Sequence, residues 1–211
     1  MTDCKTDICA TRTALLETAE ELFLSRGFDA VSIREITEAA GANVAAVNYH
    51  FNGKTELYRA CLQKWFAAVA RQRIAVIERV ARQDTTPQLR DIIEAYVQSN
   101  LKAMLQDPEG DHLLQIIYRE MSPSAVAGDL VTDVLIVPIH QALQQAISLA
   151  RPDLSDRFVS RCISSLAGQI LHFIRFREVI KTFVESSSEA AYLDEVTRHI
   201  TSFSLRGMES Q

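Results

Sequence analysis

Residues 41–54 read Gly-Ala-Asn-Val-Ala-Ala-Val-Asn-Tyr-His-Phe-Asn-Gly-Lys, a short helical pattern between two glycines. Asn43 suits the start of a helix, because its side-chain oxygen can accept one of the amides that a helix N-terminus leaves unpaired. Val47 and Phe51, four residues apart, are the inward positions. Val44, Ala45, Ala46, Asn48, Tyr49 and His50 occupy the rest of the surface. Small side chains at 45 and 46 let a helix backbone approach the floor of a DNA major groove, where a methyl can meet a thymine methyl. Asn48, Tyr49 and His50 are compact polar groups able to reach phosphates. Lys54 and the first amides of the next helix can receive another, since backbone donors and the helix dipole favour an anion there. Residue types alone leave a second reading open, in which Tyr49 and His50 are packing residues and Ala45-Ala46 is simply a good helix former.

The preceding residues narrow the choice. Over residues 11–26, Leu15, Ala19, Leu22 and Phe23 recur at helical spacing, with Glu17, Glu20 and Glu21 opposite, and Gly27 is the expected stop. Ser32 and Glu35 have the spacing of a capping box, which starts a second helix with Ile33, Ile36 and Ala40 on one face. Arg34 in its first turn points toward the surface presented by residues 44–50. An amphipathic helix, a short second helix, a glycine-bearing turn and a short third helix make the pattern of a helix-turn-helix.

Downstream, the apolar spacing predicts long helices over residues 54–82, 87–105, 111–121, 126–149, 156–183 and 189–205, with a kink at Pro138. Turns are expected at 84–87, 107–110, 122–124, 151–153 and 186–188. The fold class is all-α. A disordered tail is expected over 1–10, a three-helix helix-turn-helix DNA-binding domain over 11–57, and a second helical domain over 58–206.

Composition excludes several activities. The seven glycines are never closer than twelve positions, so neither a dinucleotide fingerprint nor a P-loop can form. The five histidines lack H-x-x-x-H or H-E-x-x-H spacing and no serine lies in G-x-S-x-G, so no enzyme, metal site or cofactor is expected. No C-x-x-C pair occurs among Cys4, Cys9, Cys61 and Cys162, which are expected as two exposed tail thiols and two core residues. Residues 134–150 form the longest run without Asp, Glu, Lys or Arg, too short and too polar to span a bilayer. With no signal-peptide pattern at the start, the expected location is the cytosol. The net charge of −5 conceals an asymmetry: residues 1–82 carry 11 basic and 10 acidic side chains, and residues 83–211 carry 11 and 17. Residues 54–82 alone hold seven basic groups against Glu56 and Glu78, so mild overall acidity does not exclude a polyanion partner.

Residues 11–62 resemble the N-terminal domain of TetR-family transcriptional regulators. The likeness runs through A-x-x-L-F-x-x-x-G-F at 19–28, V-S-I-R-E-I-x-x-x-A-G at 31–41 and V-x-Y-H-F-x-x-K-x-E-L-Y at 47–58. Carried over residue by residue, the resemblance implies DNA contacts from Ser32 and Arg34. Val44, Ala45 and Ala46 would face bases, Asn48, Tyr49 and His50 would hold phosphate and sugar, and Lys54 would clamp a phosphate. Gly53 departs from the pattern, since a Ser or Asn cap often stands there in such proteins. With no Arg, Gln or Asn at 44–46, specificity is expected to lean on methyl contacts, Arg34 and DNA shape. The segment Tyr118-Arg119-Glu120-Met121-Ser122-Pro123-Ser124-Ala125, followed by Pro138, resembles a subgroup of the family with a distinct C-terminal domain. Arg119 and Glu120 fit a buried pair, a ligand clamp or a solvated helix end.

The function so implied is a ligand-responsive regulator, a repressor, that binds an inverted-repeat operator in double-stranded DNA as a homodimer and is released by a small organic effector. Candidate effector-binding residues are Trp65, Tyr96, Met104, Ile117, Tyr118, Met121, His140, His172 and Phe176. Candidate dimer residues are Phe158, Cys162, Leu166, Ile170 and Phe173 on one helix and Tyr192, Val196, Ile200 and Phe203 on the last, with Ala167 and Gly168 permitting close approach. A different class of protein, an all-helical dimeric adaptor that senses a small molecule without touching DNA, is the alternative.

Overall fold

The structure, a computed structural model, describes residues 3–82, 87–106, 110–123, 125–183 and 188–209. Among them there is no strand. The helices are α1 (Asp3–Arg26), α2 (Ile33–Ala39), α3 (Val44–Phe51), α4 (Lys54–Ala81), α5 (Leu89–Leu105), α6 (Gly110–Glu120), α7 (Gly128–Leu130), α8 (Val137–Ala150), α9 (Asp156–Arg175), α10 (Arg177–Lys181) and α11 (Glu189–Glu209). A π-helical segment, Val131–Ile136, joins α7 to α8. The turns expected at 84–86, 107–109 and 186–187 lie outside the described residues, as do positions 1 and 2 of the expected tail.

The chain forms two compact units. The first comprises Met1–Ala68 and His112–Leu135. In it α1 packs on α2 and α3, and α2 on α3. Its core is built from Leu15, Ala19, Phe23, Val31, Ile36, Val47, Leu57, Tyr58, Leu62 and Phe66, all fully buried or nearly so. The second comprises Val69–Asp111 and Ile136–Gln211, where α5 lies along α11 and α9 packs on α8, α5 and α11. Ile92, Ile93, Val97, Leu101, Leu143, Ile147, Val159 and Leu193 fill that core.

Four expectations change. The helix begins at Asp3, within the stretch expected as a disordered tail. No glycine or proline lies between Asp3 and Thr11 to stop it, and acidic residues favour a helix N-terminus; the apolar period starts only at Leu15 and so marked the helix too late. The units divide within α4 rather than between residues 57 and 58, because residues 112–135 return to pack with the first unit. Pro138 acts through a widened turn: its ring nitrogen cannot donate to the Val134 carbonyl, and the π segment ends two residues before it. The helix expected over 156–183 breaks at Phe176, whose backbone (φ −107°, ψ 19°) leaves the helical region.

The helical run Gly128–Ala150 has 23 residues and a window of mean hydropathy 1.2, the length and composition of a membrane span. It exceeds the charge-free stretch at 134–150 because it takes in Asp129 and Asp133. Leu143, Ala146 and Ile147 are buried in the second unit, where α8 packs on α9 and α5. Asp129 forms an ion pair with Arg59 in the first.

Candidate nucleic-acid interface

Local bonds set the two short helices. The Ser32 hydroxyl accepts from the Glu35 amide at 3.2 Å while the Glu35 carboxylate accepts from the Ser32 amide at 3.1 Å, the reciprocal capping box. The Glu35 carboxyl lies below its ordinary pKa, first because Arg26 donates to it at 2.6 Å and then because the Ser32 amide does. At the start of α3, Asn43 Oδ1 accepts from the Ala46 amide at 2.8 Å. The helix ends at Asn52 in the left-handed region (φ 58°), followed by Gly53 at φ 113°. Gly53 is therefore demanded by the turn itself, which accounts for its departure from a Ser or Asn cap.

That turn yields a first expected result. A Cβ at residue 53 would meet nothing closer than Asn48 Oδ1 at 4.0 Å, so Gly53→Ala introduces backbone strain without collision. Its cost is about 1–2 kcal/mol. Thermal melting should read this as a fall of about 3–6 °C, and an unchanged melting temperature would contradict the strain.

With Val47 and Phe51 buried, α3 turns its remaining surface outward. Val44, Ala45, Asn48 and Tyr49 are exposed, Tyr49 to 73%, while Ala46 and His50 are half-buried. The rings of Tyr49 and His50 meet edge to face at 4.9 Å between centroids. Ser32 is exposed at the start of α2; Arg34, also exposed, holds Glu38 at 2.9 Å. The Lys54 ammonium sits 4.3 Å above the Phe28 ring. All nine residues expected at the interface belong to the first unit. Arg12 is a further cation there, stacked 5.0 Å from the Phe51 ring at the end of α3. Sequence spacing did not select Arg12, because it sits on α1, far along the chain from α3.

The profile described as "Bacterial regulatory proteins, tetR family" matches residues 15–61, and that described as "HTH-type transcriptional dual regulator CecR, C-terminal domain" matches residues 89–208. The HTH-type transcriptional dual regulator CecR of Shigella flexneri is 31% identical over 173 residues, 79% of this chain and 76% of the relative. The chain belongs to the TetR family of transcriptional regulators. The probable HTH-type transcriptional regulator YttP of Bacillus subtilis (strain 168) is 22% identical over 200 residues, covering 84% of this chain and 93% of the relative. A TetR-family regulator from Mesorhizobium loti has the same fold, with a TM-score of 0.70 at 17% identity over 93% of this chain and 96% of that one. NalD, described as the secondary repressor of the MexAB-OprM multidrug efflux pump in Pseudomonas aeruginosa, gives 0.61 at 23% identity over 93% and 96%. Proteins of this family are regulators of transcription, not enzymes.

Within this TetR-family chain, the Arg119-Glu120 pair is neither a solvated helix end nor a loose surface pair. The Glu120 side chain is 1% exposed. Its carboxylate accepts from the Tyr58 hydroxyl at 2.6 Å, from Arg119 Nε at 3.2 Å, and from the Val126 and Ala127 amides at 3.1 and 2.7 Å. Arg119 Nη2 also donates to the Tyr58 oxygen at 2.6 Å. Burial, and then the bond to Glu120, push the Tyr58 hydroxyl well above its ordinary pKa. Beside it, Arg59 grips the Asp129 carboxylate at 2.5 and 2.8 Å and the Val126 carbonyl at 3.0 Å, which holds Asp129 down to about 2. Tyr58 closes the third motif of the sequence, but nothing in that motif pointed to residues 119–129.

The expected effector residues divide between the units: Trp65, Ile117, Tyr118 and Met121 in the first, Tyr96, Met104, His140, His172 and Phe176 in the second. Tyr96, Met104 and Ile117 are buried and Trp65 half-buried. Burial raises the Tyr96 hydroxyl, against the nearby positive charge of Arg73. His140 is half-buried and its Nε2 lies 3.0 Å from Ser160 Oγ. Tyr118, Met121, His172 and Phe176 are exposed, which removes them from an enclosed pocket in this conformation; the helical period marked their stripes as apolar without saying what each stripe meets. A hollow of about 180 Å³ between α5 and α11 is lined by Arg90, Glu94, Gln98, Asp194, Thr197, Arg198 and Thr201, and so by none of the expected residues. Among the described residues, no group of three or more His, Cys, Asp or Glu is placed to hold a metal.

The expected dimer residues divide as well. Leu166, Ile170, Tyr192, Val196 and Ile200 are buried in the chain's own core, with the Tyr192 hydroxyl donating to the Phe173 carbonyl at 2.8 Å. Phe158, Cys162 and Phe173 remain half-exposed and Phe203 is 64% exposed. Of the cysteines, Cys9 is exposed, Cys61 is buried with its thiol pushed up to about 12, and Cys162 is only partly covered rather than in the core.

Proposed function

We propose that this regulator is a repressor that binds an inverted-repeat operator as a homodimer in the cytoplasm and releases it when a small organic effector binds the helical C-terminal region. The observation that carries this reading is the outward face of α3. Val44, Ala45, Asn48 and Tyr49 stand exposed on a helix whose two inward residues lock it to α1 and α2. Tyr49 at 73% exposure adds little burial to its own chain, so its exposed ring suits a contact made outside it. Ser32, Arg34, His50 and Lys54 complete the proposed contact set, with Ala46 beside the base edges and Arg12 as an added phosphate contact. Selection of bound duplexes from a random-sequence pool tests the reading. Enrichment of an inverted repeat supports it, whereas no enrichment with protein free of co-purified small molecules would favour an adaptor that does not bind DNA.

Dimerisation is supported by a continuous aromatic strip on the outer surfaces of α9 and α11. Phe176, His172, Phe173, His199 and Phe203 follow one another with ring centroids 5.1–6.3 Å apart. Gly168 lies open on the same helix, with nothing within 4 Å of where a Cβ would stand. A helix-turn-helix reading two half-sites needs a twofold partner, and such a strip is the kind of apolar patch that a second copy covers. Phe203→Glu should weaken the dimer at least about hundredfold and leave the monomer's melting unchanged, as measured by sedimentation equilibrium. An unaltered dimer would place the interface elsewhere.

The proposed effector response is a shift of population. An effector with higher affinity for a conformer whose DNA heads are out of register lowers operator affinity by its differential affinity for the two states. Tyr96 and Met104 in the second unit, and Trp65 and Ile117 in the first, are the buried or half-buried residues of the proposed effector set that remain candidates.

A further inference from the structure

Lys54 and Glu120 stand at the two ends of one continuous chain of side chains inside the first unit. The Lys54 ammonium rests 4.3 Å above the Phe28 ring. The Phe28 ring lies 5.0 Å from the ring of Tyr58, which also meets Phe23 edge to face at 5.1 Å. The Tyr58 hydroxyl is then fixed from two sides, donating to Glu120 and accepting from Arg119, each at 2.6 Å. Glu120 is anchored in turn by two backbone amides of the loop before α7. Tyr58 and Lys54 are four residues apart on α4, so they share a face of the helix. The end of α6 reaches the α1–α2 turn: Arg119 Nη1 stands 2.7 Å from where a Cβ of residue 27 would be, against Gly27 at φ 83°.

We infer that Tyr58, held by Glu120 and Arg119, is a positioning residue for Lys54, so that operator affinity depends on a buried hydroxyl that touches no DNA. The inference rests on the reading of Lys54 as a phosphate contact. Its physical basis is pre-organisation. A free lysine side chain loses substantial rotamer entropy when it is pinned to a phosphate, and a cation already parked over an aromatic ring has lost part of it beforehand. The ring can do this only if it is itself immobile. Phe28 is only partly buried, and Tyr58 backs it. Tyr58 is restrained because it is buried and its hydroxyl donates to the buried Glu120 while accepting from Arg119.

The test is a double-mutant cycle on the full-length dimer, using the duplex enriched by selection and titrations at several salt concentrations. Tyr58→Phe keeps the ring and its volume and removes only the hydroxyl; melting curves check that the fold persists. Lys54→Ala should reduce the log–log salt slope by about 1.8, two phosphate contacts per dimer at about 0.9 each. Tyr58→Phe should lower operator affinity by about three- to tenfold in the native background and by less than about twofold in the Lys54→Ala background. Phe28→Leu, which removes the ring face through a different residue, should show the same dependence on Lys54. Equal losses in both backgrounds would overturn the relay while leaving Lys54 a phosphate contact. An unchanged salt slope in Lys54→Ala would overturn the phosphate reading and the inference together, and no loss in Tyr58→Phe would overturn the inference alone.

Discussion

Tyr49→Ala is expected to lower operator affinity about a hundredfold while shifting the melting temperature by less than about 1 °C. The separation of the two effects follows from where the side chain stands. At 73% exposure, with His50 as its ring neighbour, Tyr49 contributes little burial to its own fold, and alanine is a better helix former at that position. A hydrogen bond to a phosphate is charge-assisted and worth about 1–1.5 kcal/mol in a partly solvated interface. A twofold dimer makes it twice, which gives about 2–3 kcal/mol, or a factor of about 30 to 150. Tyr49→Phe should lose most of that affinity if the hydroxyl carries the contact, and little if the ring packs against sugar. Operator binding within about twofold of the native protein in Tyr49→Ala would remove α3 from the interface, whatever its resemblance to a recognition helix.

Glu120→Ala should be among the most destabilising single changes in the first unit, costing about 3 kcal/mol. The carboxylate is the acceptor for the Val126 and Ala127 amides and for the Tyr58 hydroxyl, and the bonds from Ala127 and Tyr58 are buried, so those two donors lose their partner away from solvent. Arg119 is more exposed and can rehydrate, so its share of the loss is small. In a chain of this length the cost corresponds to a fall in melting temperature of about 6–12 °C. Glu120→Gln keeps the shape and one acceptor oxygen but turns an N–H₂ toward existing donors, so about half of that fall is expected. Denaturant unfolding followed by circular dichroism measures both. A loss below about 1 kcal/mol in Glu120→Ala would mean that the loop before α7 can rearrange to satisfy its own amides.

The local elements of this protein were legible in its sequence because they are fixed by bonds between residues three or four apart. Ser32 with Glu35 and Asn43 with Ala46 cap the helices they were expected to cap, and α1, α2 and α3 end at or just before Gly27, Gly41 and Gly53. The split of α3 into an inward pair and an outward face was equally readable, since a two-turn helix with two apolar residues four apart has only one way to bury them. Helical periodicity is blind to partners, and that is where the sequence alone ran out. It marked Leu166, Ile170, Tyr192, Val196 and Ile200 as apolar stripes on two helices, but only the packing of α9 on α5 and α8, and of α11 on α5 and α9, buries them in the chain's own core. It left Glu120 open among three environments, because Tyr58 is 62 residues away and no pattern links them. The grouping of residues 112–135 with the first unit was likewise invisible, because Tyr58 and Arg59 meet Glu120 and Asp129 only once distant stretches of chain are brought together. Caps, helix ends and faces are short-range and follow from residue type; which face meets which, and which charge is buried, depend on contacts that exist only once distant helices have been brought together.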